Sequence, residues 1–529
     1  MKKILLSITT IALAAGSFIS CKKSDFDSKY YNPDKSTGAN ISSLFSGLYR
    51  NRTVLPRYWN LYTFVVPYLG KNTQTVGYVN GQRMYDQPLN YISDRWDAFY
   101  ISSGSTASDQ YSGPVSQYRE IEKAYNTYST AGDKAGYRPF VEASRVFLYD
   151  QAIQMVDFFG DIPFSQAGMI NATGDAVKPK FDDASGLYDS VLTELERINN
   201  YFDTASVSSF YTNQFTQADI ALHGSFSAWR KYANSLRLRL AMRISYVNEA
   251  KAKAIVTEIL GNPSKYPLID NVTENVQITA AKPNLNAMND IRDGLGNNPA
   301  PGYMLDSLMK PSGDPRLRVY FTKNKRDNDF HGMPVSWDGG RQNDSVGKYY
   351  FSYIDSVTFV MNNYFPGIIL TASEVSFCKA EAFERWGGGD AKQSYENGIR
   401  QSIQYYYNIN ALNTEFGSPA TPATAVEITN LLASPLVSYD GGTKDDKLKK
   451  IAIQKWVDFG IIRADQAWAE MRRTKYPSLY FAPEPSASTL KVPAFRLLYP
   501  SREKLYNTDN YSAVEKQDQP YTKIFWDVK

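Results

Sequence analysis

Residues 371–406 read TASEVSFCKAEAFERWGGGDAKQSYENGIRQSIQYY. Val375, Cys378, Ala382 and Trp386 follow one another at three, four and four residues, the spacing that keeps side chains on one face of an α-helix. Gly387-Gly388-Gly389 closes that stripe, Asp390 stands where an N-cap belongs, and Tyr395, Ile399, Ile403 and Tyr406 carry a second stripe. Two helices joined by so tight a turn must lie antiparallel. Ala380 and Ala382 are small enough to let them approach closely. The unit has the form of a tetratricopeptide-type hairpin, although neither its consensus nor a clean repeat period runs through the chain.

The same period recurs elsewhere. Phe140, Phe147, Leu148, Ala152 and Met155 share one helical face, and so do Trp229, Tyr232, Ala233, Leu236, Leu240 and Ile244. Strand-like pieces are short, the best being 272–279 and 349–359. The stretch 416–443, with Pro419, Pro422, Pro435 and Gly441-Gly442, reads as a long loop excursion. No strong linker divides the chain. The fold class expected is mainly α, a scaffold of tetratricopeptide-like helix pairs with long irregular loops and a few short strands, in a single body over 41–529.

The N-terminus carries Lys2 and Lys3, an apolar run from Ile4 to Ile19, then Ser20-Cys21. A basic start and an apolar stretch too short to span a bilayer mark an export segment, 1–20. The pattern resembles a bacterial lipoprotein signal, in which the cysteine becomes the lipidated N-terminus, so Cys21 is the expected anchor. Phe18 and Ser20 stand where that pattern usually has Leu and Gly or Ala. An ordinary secretory signal that contains a cysteine is the other reading. Residues 21–40 are polar and read as a tether.

Only two cysteines occur in 529 residues, so with Cys21 acylated Cys378 has no disulfide partner and the core must supply stability. Removing 1–20 takes Lys and Arg from 58 to 56 against 54 acids, and basic residues lie among acids throughout. Nothing forms the positive patch that a nucleic-acid backbone requires. The 39 Tyr outnumber the 27 Phe, a bias toward rings that pack helices or stack on polar ligands.

Four segments resemble the SusD/RagB family of nutrient-binding outer-membrane lipoproteins, in its SusD-like branch. They are Asp157-Phe158-Phe159-Gly160-Asp161-Ile162-Pro163-Phe164 after a long helix; Trp229 to Ile244 with Arg237, Arg239 and Arg243; Leu370 to Val375 with Ala380-Glu381-Ala382; and Gln454-Lys455-Trp456 with Ala467 to Pro477. The resemblance implies a helical scaffold decorated by loops that carry the ligand site. It also implies a SusC-like TonB-dependent outer-membrane transporter as partner, on which the protein sits as a hinged lid, and a cell-surface location anchored through Cys21. Physically, these motifs read as scaffold. Arg239 and Arg243, four apart, can share one acidic partner or cap carbonyls, and Arg472-Arg473 can tie a helix end to loops.

Catalysis is not expected. His223 and His331 stand alone, without HExxH, CxxC or a nucleophile elbow, and Gly387-Gly388-Gly389 is not followed by Lys-Ser/Thr. A carboxylate pair of the glycosidase kind is the one arrangement that sequence cannot test. No cofactor is expected. The acids and amides of 327–344 lack calcium-loop spacing, which leaves a structural Ca²⁺ unsupported.

Glycan recognition calls for aromatic faces flanked by carboxylate, amide and guanidinium groups. Two loop-like regions meet that demand. One holds Trp59, Tyr62, Tyr78, Arg83, Tyr85, Asp86 and Asn90; the other holds His331, Trp337, Asp338, Arg341, Asn343, Tyr349 and Tyr350. In glycan-binding relatives the pocket resembles a meeting of two such segments. Trp96, in Trp96-Asp97-Ala98-Phe99-Tyr100, looks like the start of a scaffold helix. The function expected is capture of an oligomeric nutrient, with glycan favoured. Peptide capture by the same lid, a non-catalytic surface scaffold and a glycoside hydrolase are the alternatives.

Overall fold

The hairpin at 371–406 forms as its caps require. In the computed structural model Thr371 accepts the Glu374 N–H at 3.3 Å, Gly387 ends the first helix at φ 75°, and Asp390 accepts the Gln393 N–H at 2.9 Å. Gly398 sets the closeness of the two helices: a Cβ there would lie 2.7 Å from the Phe377 ring, so only hydrogen fits. The stripes 375, 378, 382 and 395, 399, 403, 406 are all buried.

The structure describes residues 40–54, 58–103, 111–279, 292, 294–484 and 490–529. The export segment 1–20, Cys21 and the tether up to residue 39 lie outside them. Helices of eight or more residues among the described residues begin with α1 (Ile41–Leu48), α2 (Leu89–Tyr100), α3 (Pro114–Asn126) and α4 (Ala131–Phe159). They continue as α5 (Ala184–Thr204), α6 (Ser209–Ala218), α7 (Phe226–Arg243), α8 (Glu249–Gly261) and α9 (Gly339–Gly347). The last are α10 (Ala372–Trp386), α11 (Ala391–Leu412), α12 (Ala425–Ala433), α13 (Lys444–Phe459) and α14 (Ala464–Thr474).

Consecutive helices pack as pairs, α3 on α4, α7 on α8, α10 on α11 and α13 on α14. Their connections, 127–130, 244–248, 387–390 and 460–463, are short enough that each pair must reverse direction. Contacts of α5 with α7, α7 with α10 and α10 with α13 join the pairs, and residues 41–529 make one compact unit. Among the described residues the strands form two-stranded antiparallel ribbons: β1 (Ile162–Pro163) with β2 (Phe181–Asp182), β3 (Val276–Ile278) with β6 (Gly367–Leu370), and β4 (Phe321–Thr322) with β5 (Tyr353–Ile354). Among the described residues no helix is long and apolar enough to cross a membrane.

Helix α7 is buried on all sides from Tyr232 to Arg243, so Arg237, Arg239 and Arg243 have no solvent to face. Arg239 binds Glu374 of α10 through two nitrogens, at 2.6 and 2.8 Å, and Asp150 of α4 at 3.0 Å. Arg243 takes Asp157 of α4 at 3.0 Å and lies 3.2 Å from Glu470 of α14. The two arginines therefore use separate acids rather than a shared one. Arg473 completes the set, with both Glu381 oxygens at 2.8 and 2.6 Å and both Glu470 oxygens at 3.0 and 2.6 Å. Lys455 of α13 adds a 3.0 Å contact to Glu470. Burial works to raise the Glu470 carboxyl, but Arg473, Lys455 and Arg243 outweigh it and hold it well below the usual carboxylate range. Arg472 donates to the Phe495 and Asp157 carbonyls at 2.7 and 2.8 Å, the helix-to-loop tie expected of it.

Several local expectations are corrected. The stretch 416–443 is not all loop, because Thr424 and Glu427 form a reciprocal capping box that starts α12. Of 272–279 only 276–278 pairs as a strand, and of 349–359 only 353–354. Trp96 lies late in α2 rather than at a helix start; it is 2 % exposed and packs on Phe159 and Tyr499. Neither aromatic region is loop-like throughout: 58–60 is helical, 61–70 continues as a wide π-helical segment containing Pro67, and Arg341 and Asn343 of the later region lie on α9.

Arg473→Ala strands two buried carboxylates and is expected to cost roughly 3–5 kcal/mol. Urea unfolding measures it, and Arg473→Lys, lacking the planar fork, is expected to recover only a minor part. A second expectation concerns acid. Burial pushes the Asp458 carboxyl up to about 6, against hydrogen bonds from Ser402 and Ser373 and the nearby Arg316. The folded chain therefore holds a proton there that the unfolded chain has lost, and Asp458 contributes more to stability as pH falls from about 6 to 4. Asp458→Asn lacks that gain, so its stability relative to the wild type is expected to fall between pH 7 and pH 4.5 in paired urea titrations.

Candidate functional site

Helix α9 and the segment before it are fixed to the early part of the chain by one asparagine. The Asn80 side-chain amide donates to the Val335 and Trp337 carbonyls, both at 2.6 Å, and its backbone N–H donates to Gln342 Oε1 at 2.5 Å. Gln342 is fully buried and donates in turn to the Pro334 carbonyl at 2.8 Å. Gly339 makes the approach possible, since a Cβ there would sit 2.1 Å from the Asn80 carbonyl oxygen. A third segment closes the meeting. Glu484 accepts the backbone N–H groups of Arg83 at 2.8 Å, of Tyr85 at 3.3 Å and of Met84. Tyr78, Met84 and Tyr85 pack with Ala482, Leu490 and Ala494 in a small core of their own.

Above this base stands a tier of rings. Tyr350 lies parallel to His331 with centroids 4.5 Å apart, and parallel to Trp337 at 6.4 Å. The Arg341 guanidinium covers Trp337 at 3.5 Å, and Arg326 lies 5.3 Å from the Tyr350 ring. Next to it Tyr349 is 60 % exposed at φ 55°, a left-handed conformation that a tyrosine rarely adopts, with Lys325 5.7 Å from its ring. Planar cation and ring surfaces thus sit side by side at the protein surface, the combination that suits flat polar rings.

The expected site residues divide. Trp337 is half-buried in the tier, Asp338 and Asn343 are exposed beside it, and Tyr349 stands out from it. Asp338 also caps α9, accepting the Arg341 N–H at 2.9 Å. Arg83 is exposed and pairs with Asp86 at 2.6 Å. Tyr78 and Tyr85 turn inward: they are 6 % and 0 % exposed, and the Tyr85 hydroxyl donates to the Ala482 carbonyl at 2.7 Å. Burial pushes Tyr85 up to about 12. Trp59 sits elsewhere, half-buried under Arg52, whose guanidinium lies between its ring at 5.1 Å and that of Tyr111 at 4.6 Å. Tyr62 is 52 % exposed on the π-helical segment. Sequence reasoning missed Asn80, Gln342 and Glu484, which organise the meeting; their partners lie hundreds of residues away, and no local signal marks them.

The acids of 327–344 are separately occupied. Asp327 faces His331 at 3.3 Å, Asp329 binds Lys310 at 2.7 Å, Asp338 caps α9, and Asp344 binds Lys348 at 2.6 Å. Among the described residues no three His, Cys, Asp or Glu side chains are grouped to hold a metal.

Comparison with known proteins places this geometry. The chain matches the SusD-like family described as "starch-binding associating with outer membrane" over residues 67–500. Among curated proteins no sequence matches significantly. Among solved structures, a chitin-binding protein superposes with a TM-score of 0.73 at 22 % identity, covering 93 % of this chain and 100 % of that one. A chitin-binding SusD homologue from Flavobacterium johnsoniae gives 0.67 at 23 % identity, covering 92 % and 99 %, and a SusD homologue from Bacteroides fragilis gives 0.69 at 20 %, covering 93 % and 100 %. These likenesses carry the fold. The family match, spanning the helix pairs and every segment that meets at Asn80, carries the assignment, and the chain belongs to the SusD-like family.

Proposed function

We propose that the protein captures an oligosaccharide outside the cell on the tier formed by Trp337, Tyr349 and Tyr350, and delivers it as a lid to a SusC-like TonB-dependent transporter while anchored to the outer membrane through a lipid on Cys21. The observation that carries the ligand class is the tier itself: rings held in fixed planes, one of them projecting, with the Arg341 guanidinium over Trp337 and the exposed Asp338 and Asn343 on the same segment. A sugar ring stacks on such a face while its hydroxyls reach Arg341, Asn343 and Asp338, and a ligand that takes the face of Trp337 displaces Arg341 toward the ring edge. The starch-binding description of the family and the two chitin-binding neighbours support a glycan over a peptide.

No bond is made or broken in this reading. The protein supplies orientation and enclosure, and the transporter supplies passage. Tyr78 and Tyr85 shape the base, and Arg83 and Asp86 border it.

Calorimetric titration with chitohexaose and maltoheptaose tests the ligand. Trp337→Ala and Tyr349→Ala are each expected to weaken binding about tenfold or more, the scale of one lost stacking contact. Tyr85→Phe, which removes a buried hydroxyl away from the tier, is expected to lower stability by about 1 kcal/mol and leave affinity unchanged. Full affinity in both ring variants overturns the site. Gentle detergent extraction of the native protein is expected to bring with it a large outer-membrane barrel in near-equal amount; recovery alone overturns the lid.

A further inference from the structure

A second groove lies on the scaffold itself, between α3, α4 and α5. It has two lobes of about 410 Å³ each, and both are lined by Tyr149, Phe164 and Glu194, so the ring pair sits at their junction. Each lobe falls in the range of about 300–1,000 Å³ usual for small-molecule sites. The Tyr149 and Phe164 centroids are 6.2 Å apart, and both rings are half-buried. The Tyr149 hydroxyl has no hydrogen-bond partner among the described residues, although burial pushes its ionisation up.

The polar wall of the first lobe is already built. Glu142, 2 % exposed, holds Arg197 at 2.6 Å and Arg145 at 3.3 Å; Arg197 also binds Glu194 at 3.0 Å. Arg145 donates to the Tyr118 hydroxyl at 2.7 Å. Arg119 binds Glu122 at 2.8 Å and donates to the Ser165 and Ala167 carbonyls, both at 3.1 Å. Every guanidinium here faces a carboxylate, so an anion would have to displace a carboxylate to bind. An apolar segment would cover the charged ends, of which Arg197 and Glu194 are each 35 % exposed. A neutral polyol meets neither obstacle: it stacks on the rings and finds fixed donors and acceptors together.

We infer that this groove is a second carbohydrate subsite, taking at least two linked neutral sugars across the Tyr149–Phe164 junction. It shares no lining residue with the tier of Trp337, and it stands or falls separately.

Saturation-transfer NMR with chitohexaose and maltoheptaose separates the two. In the full-length Trp337→Ala/Tyr349→Ala protein, at least one sugar is expected to retain transfer, and adding Tyr149→Ala is expected to weaken that residual binding about tenfold. Glu194→Gln, which alters one partly exposed contact and leaves the rings in place, is expected to weaken it several-fold, so a Tyr149 variant that fails to fold does not end the test. Binding by the wild type but none by the tier-less protein overturns the groove and leaves the tier standing. Residual binding indifferent to both Tyr149→Ala and Glu194→Gln also overturns the groove, and a wild type that binds neither sugar overturns both.

Discussion

The two-nitrogen grip of Arg239 on Glu374, with Asp150 on its remaining arm, ties three helices that are far apart in sequence. Arg243, Arg473 and Lys455 extend the same principle through Asp157, Glu381 and Glu470 to α13 and α14. Such groups carry a large desolvation cost, and only close, multiply bonded partners offset it. The network therefore adds little net stability over an apolar core of the same shape. Its physical consequence is that a helix shifted by one turn would leave several charges buried and unpaired, at a cost comparable to the whole stability of a domain. We regard this as the feature that fixes how the helix pairs sit on one another.

That role explains which parts of the fold were legible in the sequence. The hairpin 371–406 could be read because one face of each helix is apolar and both ends carry caps of unambiguous chemistry, Thr371, Gly387 and Asp390. Helix α7 could be read from its apolar stripe, which leaves Arg237, Arg239 and Arg243 on the other sides of the helix as scaffold; that those sides are enclosed as well, with all three arginines buried, the stripe does not tell. Periodicity reports a helix with one wet side and says nothing of a helix whose polar side meets other protein. Helix α12 was hidden by the prolines around it, although its capping box, Thr424 with Glu427, was present in the sequence. The π-helical segment at 61–70 was hidden by its composition, since Pro67 and a mixed aromatic run match neither a 3.6-residue nor a two-residue period.

The candidate site was legible to a different degree. Trp337 and Tyr349 stood out because large rings flanked by Asp, Asn and Arg are unusual in a loop. Tyr78 and Tyr85 had the same surroundings in sequence and turned inward, onto the small core with Ala482 and Ala494. Nothing local distinguishes the two outcomes. What decides them is Glu484, about 400 residues away, which gathers the backbone of 83–85 and draws the segment down. Asn80 does the same for α9 across some 257 residues. Long-range hydrogen bonds from single polar side chains leave no pattern in a sequence, and they are what converts two aromatic-rich segments into one surface.

The separation between these two kinds of interaction bears on how freely each surface can change. The charged spine lies between helices and the tier lies on segments tied down mainly by side-chain-to-backbone hydrogen bonds from Asn80, Gln342 and Glu484. Such bonds depend on where the backbone runs and are indifferent to which side chain stands at 337, 341, 343 or 349. The ring and amide composition of the surface can therefore alter while the scaffold stays in register. The groove between α3 and α5 is placed differently. Its arginines and glutamates belong to the scaffold's own ion pairs, and Glu142, which holds Arg145 and Arg197 from behind, joins α4 to α5. A change there alters helix packing, so the groove is the more constrained of the two surfaces and the tier the freer.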